Sequence, residues 1–152
     1  MTARPQTEAA ALALALDWGY ADLSEATTWA DAQILAAEVP DALLIDVALA
    51  RTPGEAASLL RALSEGANRW QALAVFLRRF DTLTTMSPAE ASALARDLYM
   101  LAAYEDPPAA FRPFVTHWDA IDLARDDVCG DLDTCIRAFL DDIHHVAAAY
   151  AG

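Results

Sequence analysis

Asp131-Leu-Asp-Thr-Cys-Ile-Arg-Ala-Phe-Leu-Asp-Asp-Ile-His-His-Val-Ala-Ala-Ala149 decides the fold class of this chain. Ile136, Phe139, Leu140, Ile143 and Ala147 recur at the three- and four-residue spacing of one helical face. Arg137, Asp141 and His145 fall on another face, so the segment reads as an amphipathic helix with a buried stripe. Asp131 or Asp133 is placed to cap it, because a short carboxylate accepts from the unpaired N–H groups of a first turn.

Two earlier helix starts share one grammar. Thr52-Pro-Gly-Glu55 and Ser87-Pro-Ala-Glu90 each put a hydroxyl at the cap, proline at the first helical position and glutamate three residues on. The boxes lie 35 residues apart, and Leu59/Leu94 and Leu63/Leu98 align with them. The match fades beyond residue 98, which favours shared capping over a solenoid. Between the boxes, Trp70, Leu73, Leu77 and Phe80 form another apolar stripe. Toward the N-terminus, Thr7 is read as the cap of a helix to about Tyr20, Thr27 or Thr28 as the cap of a second, and Asp41 as the start of a short third. Pro107-Pro108 and Pro113 allow only a short or kinked helix around Phe111 and Phe114, with a further helix from about Thr116. Strand-like runs of Val, Ile and Thr are missing. The expectation is an all-α, compact single-domain bundle of seven to nine short helices over residues 1–152.

Charge is the second strong feature. Twenty-three carboxylates face ten arginines and no lysine, giving a formal charge of −13. Residues 1–50 carry −7, residues 51–100 carry +1 and residues 101–152 carry −7. Such a field repels nucleic acid and anionic lipid and steers basic partners inward. The apolar fraction of 56% rules out general disorder. No apolar run approaches the roughly 20 residues of a membrane span, and the opening residues do not read as a signal peptide. Two cysteines make no disulfide framework, so a reduced, cytoplasmic protein is expected.

Catalytic motifs are sparse. His144 and His145 are adjacent and therefore about 100° apart on a helix. Asp141 and His145 at i, i+4 could supply two metal ligands with His117 a third, but an exposed acid–histidine pair is the simpler reading. Cys129 and Cys135 lack the Cys-x-x-Cys spacing of redox and zinc sites. The aspartates from Asp126 to Asp133 fail the EF-hand register, since its sixth place holds Asp131 and its twelfth Arg137. Arg78-Arg79, the one adjacent basic pair, is read as neutralising nearby acids. No catalytic residue, cofactor or metal site is assigned.

The carboxylates remain. Asp119, Asp122, Asp126, Asp127, Asp131, Asp133 and Asp141 form the candidate partner-binding set, in a chain with sixteen Asp and seven Glu. Aspartate holds its charge near the backbone with few rotamers to freeze, which suits a preorganised surface. Helix capping, solvated faces and GC-rich coding account equally well for any one of them.

Taken whole, the chain resembles the acidic helical immunity proteins of bacterial toxin loci. Trp29-Ala-Asp-x-x-Ile34 and Pro40-Asp-Ala-Leu-Leu-Ile-Asp46 also look like segments of small uncharacterised helical bacterial proteins. The resemblance implies a non-enzymatic, stoichiometric inhibitor, monomeric or dimeric, that plugs a basic protein such as a nuclease toxin, with Trp or Tyr anchors at the centre of contact. Other readings are a DNA-mimic anti-defence protein, an acidic adaptor or secretion chaperone, and a metal-dependent enzyme. A toxin gene immediately upstream would separate the first from the rest.

Overall fold

Alanine and proline shape the helices of the computed structural model, which describes residues 4–150. The described residues form eight α-helices and two short 3-10 turns joined by irregular connections, with no strand among them. The helices are α1 (Pro5–Asp17), α2 (Leu23–Ala36), α3 (Ala42–Ala48), α4 (Pro53–Leu63), α5 (Arg69–Leu77), α6 (Pro88–Ala102), α7 (Phe114–Arg125) and α8 (Leu132–Ala149). The all-helical expectation and its helix count both hold.

Contacts group the chain into two compact units, the first ending at Phe76 and the second spanning Leu77–Tyr150. In the first unit, α1 packs on α4 and α2 on α3. Its core joins Leu12, Leu16, Val47 and Leu60 with Ala9, Ala13, Ala26, Ala30, Ala56 and Ala57. Small side chains at the contacts let helix axes approach closely, so the Ala–Leu alternation of α1 serves helix packing. Trp18 meets Phe76 edge-on at 5.0 Å, and the Trp29 indole donates to Glu8 at 3.1 Å, tying α2 to α1.

The second unit packs α6 on α7 and α7 on α8. Phe111, Phe114 and Phe139 are fully buried, and Phe114 meets Phe139 at 6.2 Å with the rings perpendicular. Each such ring contributes roughly 1.5–3 kcal/mol by leaving water. All five residues of the α8 stripe are buried, joined by Val146.

Caps account for the boundaries. Thr52 Oγ1 accepts from Glu55 N–H at 3.1 Å, and Ser87 Oγ accepts from Glu90 N–H at 3.2 Å. The Glu55 carboxylate reaches one residue past the cap, to Arg51 N–H at 2.9 Å. Three N-terminal assignments need correction. Thr7 lies inside α1 and is buried, since Pro5 can itself begin a helix without a side-chain cap. Helix α2 starts before Thr27, at Asp22, whose carboxylate accepts from Glu25 N–H at 2.8 Å. Helix α7 begins at Phe114 rather than Thr116, because Pro113 can occupy its N-cap position after a 3-10 turn.

Candidate acidic binding surface

Helices α7 and α8 carry the candidate acids on two rows and the turn that joins them. On α7, Asp119, Leu123 and Asp126 stand at i, i+4 and i+7 and share a face. The helix ends because Asp126 caps it and Asp127 turns left-handed, at φ 54°. The N–H groups of Val128 and Cys129 both return to the Leu123 carbonyl, at 2.9 and 3.3 Å. Gly130, at φ 85°, completes the reversal. Asp131 then starts α8 by accepting from the Thr134 N–H at 3.0 Å and the Thr134 hydroxyl at 2.7 Å.

The seven acids divide by what they touch. Asp131 is a cap, and the Thr134 hydroxyl and N–H hold its carboxyl below the usual range, helped by Arg137. Asp122 is half-buried and accepts from the Ser92 hydroxyl at 2.6 Å, with Arg125 Nη1 at 3.9 Å. It works as a tie between α6 and α7. Asp119, Asp126, Asp127, Asp133 and Asp141 are exposed, and among the described residues their side chains make no hydrogen bond or ion pair.

Spacing separates one of these from the others. Asp126, Asp127, Asp131 and Asp133 gather at the α7–α8 turn. Asp141 stands eight residues farther along α8 than Asp133, roughly 12 Å at the helical rise. Arg137 lies between them at i+4 from one and i−4 from the other. The surface is therefore a turn-centred acidic group with Asp141 as an outlier.

Sequence reasoning missed the apolar part. Leu123 is 43% exposed and Val128 69%, both within the span of Asp119 to Asp131. The signal for Leu123 was present, since it shares the Asp119–Asp126 face instead of the Ile121 face. Of the expected Trp or Tyr anchors, Trp118 meets Tyr99 at 5.3 Å with the rings tilted and all four tryptophans are only partly exposed, whereas Tyr104 is 73% exposed.

The remaining candidate groups take structural places. His117 is buried beside Phe114 and Phe139, with Nε2 2.6 Å from Asp142 Oδ2. Asp142, and not the Asp141–His145 pair, is thus its partner. His144 Nε2 lies 3.0 Å from the Phe80 carbonyl. Among the described residues no three His, Cys, Asp or Glu side chains gather as metal ligands. Cys129 is exposed and Cys135 sits in α8; both are free thiols. Arg78 donates to the Tyr150 carbonyl at 2.8 Å, so it serves the end of α8 and not a carboxylate. No described helix is long and apolar enough to cross a membrane. Compared with known protein families, curated proteins and solved structures, the chain matches none.

Proposed function

We propose that this chain is a stoichiometric acidic binding protein that neutralises a cationic partner, most specifically an immunity protein for a nuclease-like toxin in the bacterial cytoplasm. The observation that supports this reading is the second half of α7 with the α7–α8 turn, where unpaired Asp119, Asp126, Asp127 and Asp133 accompany exposed Leu123 and Val128. Carboxylates left without internal partners repel one another, and a basic surface would relieve that repulsion. Apolar side chains within an acidic surround suit the dry centre and polar rim of a protein interface. Such a surface can occupy a phosphate-binding cleft by presenting carboxylates where phosphates would sit, and its field raises the association rate.

Co-expression with the product of the gene immediately upstream tests the reading. A stable stoichiometric complex in which that product loses its activity is the expected outcome. The reading fails if the two proteins elute separately at low salt, or if the upstream product keeps full activity in their mixture.

A further inference from the structure

Among the described residues, four of the nine large apolar side chains that stand exposed fall within fifteen residues of the α2–α3 region. Leu35, in the last turn of α2, is 87% exposed, and Val39, in the connection, is 88% exposed. Ile45 on α3 is 45% exposed and Leu49, its C-cap, is 71% exposed. Ile45 and Leu49 lie four residues apart and share a face. The core side of the same hairpin is already satisfied by Ala26, Ala30 and Val47. These four side chains are left over from folding, and exposed apolar side chains this close together along one helical hairpin are the material of an interaction site.

Charge selects the occupant. Asp31, Glu38, Asp41 and Asp46 are all exposed in the same region. Between Arg4 and Arg51 the chain holds eight carboxylates and no lysine or arginine. A second copy docked through a two-fold axis would set this acidic surround against its own duplicate, and like charges would oppose closure. Anionic lipid is repelled for the same reason. A basic segment with one apolar face meets both requirements at once, seating its apolar stripe on Leu35, Val39, Ile45 and Leu49 while its cations reach the carboxylates.

We propose that the α2–α3 surface is a docking site for an amphipathic, lysine- or arginine-bearing helical segment of another protein. The site lies in the first unit and stands independently of the α7–α8 reading.

Fluorescence anisotropy with the full-length protein tests it. The probes are a labelled leucine–lysine peptide of helical periodicity, its leucine–glutamate counterpart, and a scrambled leucine–lysine peptide. The wild type should bind the first and neither of the others. Leu35→Ser/Val39→Ser/Leu49→Ser, at positions exposed enough to leave folding intact, should weaken binding about tenfold or more. Asp31→Asn/Glu38→Gln/Asp46→Asn should weaken binding and flatten its salt dependence. Because the α7–α8 turn is itself proposed to take a cationic partner, the serine substitutions are also read in an Asp126→Asn/Asp133→Asn background, in which the α2–α3 surface should still bind the peptide. The proposal is overturned if the serine substitutions leave binding unchanged in that background, or if Asp126→Asn/Asp133→Asn alone abolishes it. It is equally overturned if sedimentation shows a wild-type dimer that the serine variant breaks, because the occupant is then a second copy.

Discussion

His117 Nε2 stands 2.6 Å from Asp142 Oδ2, joining the first turns of α7 to the second half of α8. The imidazole reaches this carboxylate from an apolar setting, 6.2 Å from the Phe114 ring and 5.2 Å from that of Phe139. A charged hydrogen-bond partner makes this one of the stronger ties between the two helices that carry the acidic surface. Asp142→Ala should lower stability by about 1–2 kcal/mol, the larger part being the His117 nitrogen left without its partner. Urea unfolding of the single variants and of the double variant with His117→Leu measures the coupling. Additive losses would show that the contact contributes nothing of its own.

Asp97 is held above the usual carboxylate range because burial disfavours its charge, with Arg96, 3.9 Å away, only partly offsetting it. Its folded value is raised, so the cost of the charged form is present at neutral pH and is relieved as pH falls through that value. Asp97→Asn should therefore raise the melting temperature at pH 7, and the gain should fade in acid. A gain independent of pH would point to packing instead.

Asp131 runs the opposite way. Its folded value is lowered by Thr134, so its contribution is complete above the ordinary carboxylate range and is lost as pH falls through the lowered value. Asp131→Ala should lower the melting temperature at pH 7, with the difference closing in acid. Ser87→Ala, which removes a neutral cap, should cost about 1 kcal/mol at either pH. Thermal melts of both variants at neutral and acid pH make the comparison.

Asp127 adopts φ 54°, a conformation that costs a residue with a side chain roughly 1 kcal/mol relative to glycine. Asp127→Gly should thus hold or slightly raise stability, by up to about 1 kcal/mol, while slowing association with a basic partner. Asp127→Val should destabilise by about 1 kcal/mol or more, since a β-branched residue fits this region worst. Equal stability of the two variants in urea would show that the turn relaxes without penalty.

Much of the fold was readable because its signals are local. The boxes at Thr52 and Ser87 and the stripe from Ile136 to Ala147 depend only on spacing along one helix. Thr7 and Thr27 misled because a hydroxyl near a helix start is a plausible cap, and the start near Thr116 because Pro113 reads as a breaker, whereas Pro5, Asp22 and Pro113 stand closer to the true starts. The candidate surface was legible only in part. Sequence could place Asp119, Asp126 and Asp133 on their helices, but not show that Asp122 is engaged by Ser92, thirty residues away. Nor could it show Asp142 reaching His117 across the α7–α8 pair, a contact between residues twenty-five apart. Exposure of Val128 likewise emerges only once α7, its turn and α8 are folded, whereas that of Leu123 was readable from the face it shares with Asp119 and Asp126.

The most direct measurement is the rate at which the upstream gene product and this protein associate, followed by stopped flow across a series of salt concentrations. Wild type is compared with Asp119→Asn/Asp126→Asn/Asp133→Asn, three exposed carboxylates whose side chains make no hydrogen bond or ion pair among the described residues. Steering by the α7–α8 turn predicts fast association that slows steeply with salt, and a variant about tenfold slower with a flatter dependence. Identical rates and slopes for the two proteins would contradict it.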